Sequence, residues 1–314
     1  MLAEHRPAFL VSCLLVLVSL PSLVSASALS SSNFVVDFDS IDTSLARSIL
    51  DYSEKSFRQV TGQLNHVPET KILIVLVSSQ EAFDRWMGGE APEWGVAFAF
   101  CSRNKIILKS PRLTRKNVNL AEVVTHEVTH VILQSFLGHA RIPLWLNEGF
   151  AMYQSREWQI GNSSVVGWAA IRNRLYDLGD LDETFPWSEK GARLAYAESF
   201  LAVAYIVQHF GKQGLMNLLK DVREGKDIDL AMRRSLGLGY ERFKREWLEN
   251  TKSRFSIASF VLSPITVWVF VVVLLVIVYI KRKQRKKKKL ASMDSEHFFY
   301  GEGDLPWKEY EHDE

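Results

Sequence analysis

The sequence predicts an α+β fold: a small mixed sheet, an interior helix and a helical C-terminal half, followed by one membrane-crossing helix. Three observations carry this expectation. Lys71–Ser79, Trp94–Cys101 and Lys105–Lys109 are short apolar stretches rich in β-branched or aromatic residues, as strands are. A run beginning at Asn119 is apolar around most of its circumference, which marks a helix buried on nearly all sides. The run Phe260–Ile280 carries no charge and has about the length a helix needs to cross roughly 30 Å of hydrocarbon.

The 314 residues leave room for one or two domains with a sizeable core. A net charge of +2 gives no reason to expect a polyanion partner, and nucleic-acid binding has no support beyond a basic block near the C-terminal end. There are two cysteines, Cys13 and Cys101. Cys13 lies in a segment expected to be removed, so the mature chain cannot close an internal disulfide.

Both ends carry targeting signals. Arg6, the apolar stretch Phe9–Leu20, Pro21 and the small residues Ala26-Ser27-Ala28 have the layout of a signal peptide over residues 1–28, cut after Ala26 or Ala28. An uncleaved membrane anchor is the competing reading. At the other end, Phe260–Ile280 is followed by KRKQRKKKK, Lys281–Lys289, which the positive-inside rule places in the cytoplasm. The same block can attract anionic lipid, although a stop-transfer signal alone explains it. Residues Asp294–Glu314 are acidic and expected to be disordered. Either reading of the N-terminus puts residues 29–257 outside and the tail, 281–314, inside. The expectation is a single-pass protein of the cell membrane.

Within the outer segment, Ile41, Leu45, Ile49 and Tyr52 recur at helical spacing, so a helix is predicted over Phe34–Gln63. The strand Lys71–Ser79 leads into a short helix, Gln80–Trp86. Ser102-Arg103-Asn104 joins two strands as a hairpin. Asn119 is placed to cap the next helix, with Glu122 three residues on as its capping-box partner.

Four titratable residues interrupt this apolar region. His126 and His130, spaced i, i+4, project from one face of the interior helix and can share a metal ion. Glu127 lies between them, beside such an ion but badly placed to ligate it. This is the HExxH pattern of a zinc site with a general base; two satisfied core histidines are the alternative. Glu148 follows His130 by 18 positions and sits on a second run of helical spacing formed by Leu146, Gly149, Phe150 and Tyr153. Two histidines and one glutamate leave a tetrahedral zinc one open position, the catalytic rather than the structural arrangement. A buried glutamate without compensation would cost several kcal/mol, and a cation accounts for it. Other third ligands fit less well. Phe136 and Leu133 stand where a metzincin would carry histidine and glycine, His139 reads as a solvated loop residue, and Cys101 reads as a packed strand residue.

HEVTH followed by PLWLNEGFA resembles the gluzincins, the clan that includes thermolysin and the membrane alanyl aminopeptidases. It is most similar to compact bacterial proteins with a peptidase MA-like domain. Leu194–Glu249 is similar to the helical C-terminal half of that family, so the resemblance covers about residues 35 to 250. It implies a zincin fold, one zinc per chain held by His126, His130 and Glu148, and hydrolysis of peptide bonds with Glu127 as general base. It further implies Tyr196 as oxyanion donor, against a merely packed tyrosine, the Trp94–Cys101 edge as the strand that pairs with extended substrate, and Asn147 as an orienting group. The pattern departs in two places. The spacing to Glu148 is slightly short, and Met152 stands where thermolysin carries a carboxylate four residues after its glutamate ligand. No element for gripping a free N-terminus is evident, which favours an endopeptidase. The expected function is that of a membrane-anchored zinc metallopeptidase acting on extracytoplasmic protein or peptide. Its alternative is a catalytically silent binding module of the same fold. A structural membrane protein is a further class. Asn162-Ser163-Ser164 is a glycosylation sequon whose plain reading is a chance match.

Overall fold

The computed structural model describes residues 26–39, 42–89, 95–114, 118–157, 160–255 and 264–297. They divide into two compact units: those within Met1–Val165 and Leu175–Trp247, and those within Val166–Arg174 and Leu248–Glu314.

The first unit holds a five-stranded mixed sheet of order β1-β2-β3-β5-β4. Its strands are β1 (Ala26–Ser30), β2 (Phe34–Asp39), β3 (Ile72–Val77), β4 (Ala97–Phe100) and β5 (Lys105–Lys109). The outer pairs β1–β2 and β4–β5 are antiparallel, whereas β2, β3 and β5 are parallel. Parallel neighbours require crossovers. Helix α1 (Thr43–Leu64) makes the first, and α2 (Gln80–Met87) with β4 makes the second.

The two faces of the sheet are covered differently. Phe34, Val36, Phe38, Ile72, Ile74, Leu76, Ile106 and Leu108 are buried on the side of α1 and of α3 (Leu120–Leu137). On the other side Val77 and Ile107 pack with Phe83 of α2, joined by Val75, Met87 and Phe100. The short residues Ala97 and Ala99 of β4 therefore share the face of α3, by strand alternation. The helical half follows: α4 (Leu144–Ser155), α5 (Ile160–Ile171), α6 (Glu189–Arg223), α7 (Ile228–Leu236) and α8 (Tyr240–Arg254). Helix α6 is broken at Gly211, whose φ of 72° only glycine adopts freely. A last helix, α9 (Pro264–His297), lies in the second unit.

The expected mixed sheet, interior helix and helical C-terminal half are all present. Three expectations need correction. The predicted helix over Phe34–Gln63 begins only at Thr43, because Phe34, Val36 and Phe38 alternate with period two and are buried as strand β2. Cys101 ends the expected strand in a tight 3₁₀ turn, Cys101–Arg103, closed by left-handed Asn104; Trp94 lies outside the described residues. The acidic tail, expected to be disordered from Asp294, is helical as far as His297, where α9 runs on through the basic block from its apolar half. Of the expected signal segment, residues 1–25 lie outside the described residues, and Ala26–Ala28 stand in β1. Residues 298–314 likewise lie outside them.

Among the described residues no helix is long and apolar enough to cross a membrane. Of the expected span, 260–263 lie outside the described residues. From Trp268 to Ile280 every side chain is exposed.

Glu198 of α6 is fully buried, and both its carboxylate oxygens lie 3.2 Å from the same donor, the Tyr176 N–H. Burial pushes its carboxyl up to about 8, only partly offset by that hydrogen bond. The folded chain thus holds this proton more tightly than the unfolded one. Glu198 contributes full stability below about pH 4.5, and that contribution is lost as pH rises through about 8. Glu198→Gln is expected to remove a loss of a few kcal/mol over this window. Thermal midpoints from pH 5 to 9 check this, and an unchanged pH slope in the variant contradicts it.

Candidate metal centre

Asn119 starts α3 as its cap, its side chain accepting from the Ala121 N–H at 3.2 Å. Glu122 pairs with it through the Asn119 amide at 2.8 Å, side chain to side chain. The helix then runs between the sheet, α1 and α4, with Val124, Val128, Val131, Ile132 and Leu133 buried. Thr125 meets Ser56 of α1, hydroxyl to hydroxyl, at 2.7 Å, which fixes the rotation of α3 one residue before His126.

Helix α4 is held from several sides. Trp145 is fully buried, stacks on Phe243 and donates to the Tyr240 hydroxyl at 2.9 Å. That hydroxyl in turn donates to Asp182 at 2.5 Å. Gly149 allows α4 to lie directly on α6: a Cβ there would sit 2.2 Å from the Ser199 carbonyl oxygen. Any side chain at 149 would push apart the helices that carry Glu148 and Tyr196.

These constraints bring His126, His130 and Glu148 together. Nε2 of His126 lies 3.1 Å from Nε2 of His130. Oε2 of Glu148 lies 3.3 Å from the first and 3.4 Å from the second. Zinc–ligand distances of about 2.0–2.1 Å require tetrahedral edges of roughly 3.3 Å, so the three atoms already mark one triangular face of such a site. Their side chains are 13, 10 and 14 % exposed, so the cluster is largely enclosed by the surrounding elements. No other cluster of three such residues able to hold an ion occurs among the described residues.

The electrostatics agree with a cation site. Burial alone would raise the Glu148 carboxyl, but the imidazoles of His130 and His126 hold it far below the usual range. Burial pulls both histidines down, and the surrounding carboxylates more than reverse this: Glu148 first at each, joined by Glu157 at His126 and by Glu127 at both. Burial pushes Glu127 up, while the two imidazoles draw it back.

The remaining expected residues are placed as follows. Tyr196, on α6, packs edge-on against Phe185 at 5.0 Å. Its hydroxyl pKa is raised by burial and by the charges of Glu148 and Glu127, which puts it in the field of the cluster. Oδ1 of Asn147 lies 3.2 Å from Nδ1 of His130. His139 is exposed in the turn after α3. Cys101 is not among the converging atoms; its thiol is pushed up to about 12, by burial first and then by the Glu127 and Glu148 charges. Asn162 is buried on α5, 3.5 Å from Arg193 Nε, so the folded chain does not present the sequon.

Sequence reasoning missed Glu157. Its Oε2 lies 3.3 Å from Nδ1 of His126, from a position just past the end of α4.

No curated protein matches the chain. The family model of the Peptidase MA superfamily matches residues 61–253, which takes in the end of α1, β3 to β5 and every helix that carries the cluster. The match spans well over half of the sequence, and both histidines, Glu127, Glu148 and Tyr196 fall inside it. This chain belongs to the Peptidase MA superfamily.

Proposed function

We propose that the protein is a zinc-dependent metallopeptidase that hydrolyses peptide bonds of extracytoplasmic protein or peptide and is anchored in the membrane by the apolar run Phe260–Ile280. The observation that supports the catalytic reading most is the triangle of His126, His130 and Glu148 with Glu127 beside it. A metal that only stabilised the fold would need the three ligands, but not a further half-buried carboxylate whose affinity for protons is raised. The silent binding module leaves Glu127 without a task.

His126 Nε2, His130 Nε2 and Glu148 Oε2 would hold the ion. When bound, zinc supplies Lewis acidity, which lets water act as a nucleophile near neutral pH. Glu127 accepts the proton of the attacking water and returns it to the departing amine, so its carboxyl starts and ends the cycle ionised. The Tyr196 hydroxyl, protonated throughout, donates to the oxyanion that develops on the substrate carbonyl. The β4 edge supports an extended substrate: it is unpaired on its outer side among the described residues, and its Ala97 and Ala99 lie on the α3 face. Tyr196→Phe is expected to lower kcat about 10²–10³-fold at unchanged zinc content. Normal kcat in this variant would remove Tyr196 from the mechanism.

The membrane reading is supported by α9. Its thirteen consecutive apolar side chains Trp268–Ile280 are 37–69 % exposed, a surface that water solvates poorly and a bilayer would cover. The basic residues beyond Lys281 continue the same helix on what would be the cytoplasmic side, next to anionic head groups. A signal cut after Ala26 leaves four residues of β1 paired with β2, whereas a cut after Ala28 leaves two. The earlier cut is therefore the one proposed.

Protease added to intact cells or spheroplasts tests the topology. It should digest the domain before residue 257 and spare an epitope after Lys289; digestion of that epitope from outside overturns the orientation. Comparison of extracellular peptides from cells carrying the wild type or Glu127→Gln tests the activity. Fragments present only with the wild type are expected, and identical peptide profiles speak for the silent module.

A further inference from the structure

Each imidazole of the cluster has a second nitrogen pointing away from the converging atoms. His130 turns its Nδ1 to the Asn147 amide oxygen, 3.2 Å away. His126 turns its Nδ1 into the interior. There it is buried without an aligned hydrogen-bond partner, and the oxygen beside it is Oε2 of Glu157 at 3.3 Å. A buried imidazole N–H with no acceptor is costly, so the nearby carboxylate calls for an explanation.

The route by which Glu157 reaches this place is specific. On α4 the position four residues after Glu148 belongs to Met152, which is buried and apolar. The helix ends at Ser155, and Arg156 takes the left-handed conformation with φ 59° and ψ 30°. The backbone N–H groups of Arg156 and Glu157 both return to the Met152 carbonyl, the latter at 3.1 Å. The chain thus reverses over Met152 and delivers the next side chain to His126.

The helix end itself is pinned. Gln59 of α1 donates to the backbone oxygen and the side-chain oxygen of Gln154 at 3.1 and 3.0 Å, and Gln154 donates to Gln63 at 2.7 Å. Gln154 is almost completely buried. Two amides of one helix therefore hold the last turn of another, two residues before the reversal. A solvated surface glutamate would need none of this.

We propose that Glu157 is the positioning residue for His126: its carboxylate accepts the Nδ1–H, so that the tautomer and orientation of the ring leave the Nε2 lone pair free for the metal. The proposal rests on the zinc reading above and extends it. A carboxylate strengthens the donor character of its imidazole more than a neutral amide does. The two ligand histidines are then unequal, with His126, backed by Glu157, the stronger donor and His130, backed by Asn147, the weaker. The carboxylate comes from a turn after the ligand helix and not from within it.

The test measures zinc affinity of the full-length protein by competition with a chelator, together with the visible spectrum of the cobalt-substituted protein. Glu157→Gln keeps the shape and removes the charge. It is expected to weaken zinc binding about 10–100-fold and to shift the cobalt bands, with the thermal midpoint of the metal-free protein unchanged. Glu157→Asp keeps the charge and should recover part of the affinity, which a merely packing role would not produce. If Glu157→Gln binds zinc as tightly as the wild type with the same cobalt spectrum, the proposal is overturned while the zinc site stands. A loss in Glu157→Gln that Glu157→Asp does not relieve at all also overturns it. A wild type that binds no zinc removes the zinc reading and the proposal together.

Discussion

Glu127→Gln is expected to leave zinc content unchanged and to lower peptide hydrolysis by about 10²–10⁴-fold, the usual weight of a positioned general base. The substitution keeps the size of the side chain and its place on α3 between the two histidines. It removes only the capacity to take up a proton. Zinc is retained because the converging atoms belong to His126, His130 and Glu148, and Glu127 contributes none of them. Bound peptide should still dock, so the loss should fall on kcat more than on KM. Steady-state hydrolysis of an unstructured protein substrate by purified wild type and variant checks this. A variant with normal kcat would end the peptidase reading, whatever its zinc content.

Removal of a ligand should be more severe. Glu148→Ala deletes the oxygen that lies 3.3 and 3.4 Å from the two imidazole nitrogens. It also deletes the only anion of the triangle. Hydrolysis should fall to background, since the Lewis acid contributes several kcal/mol of transition-state stabilisation, about 10³-fold or more. The same holds for His126→Ala and His130→Ala. The effect differs in kind from that of Glu127→Gln: added zinc in excess should restore part of the activity of a ligand variant and none of that of the base variant. Equal behaviour of the two classes would mean that Glu127 acts through the metal's binding and not through its chemistry.

The triangle was legible in the sequence because its logic is local. Two histidines one helical turn apart share a face, and a glutamate within an apolar run calls for a cation. Both statements follow from spacing and burial alone. The cap at Asn119 was legible for the same reason. Glu157 was not, because its place depends on Arg156 adopting a left-handed conformation that ordinarily marks glycine or asparagine. Nothing in the residues around 156 announces that turn. The orienting role of Asn147 entered only through resemblance, although its adjacency to Glu148 puts it on the first turn of α4 near the histidines.

Strand β2 shows a different kind of difficulty. Phe34, Val36 and Phe38 alternate plainly, but the helical recurrence that starts at Ile41 absorbed them into one helix. Strand β1 overlaps the small residues that also read as a cleavage site, and Ala26-Ser27-Ala28 satisfies both patterns. In α9 the acidic composition from Asp294 onward suggested disorder, and the repulsion within the basic block also works against a continuous helix. Helix propagation from the preceding apolar turns outweighs that repulsion, because adding a turn to an existing helix avoids the cost of nucleation.

The most direct measurement is the metal content of the purified full-length protein after exhaustive dialysis, read by mass spectrometry against protein concentration. About one zinc per chain is predicted for the wild type and for Glu127→Gln, and close to none for Glu148→Ala. A wild type without zinc, or a Glu148→Ala variant that keeps a full equivalent, would contradict the assignment of His126, His130 and Glu148 as the centre of this enzyme.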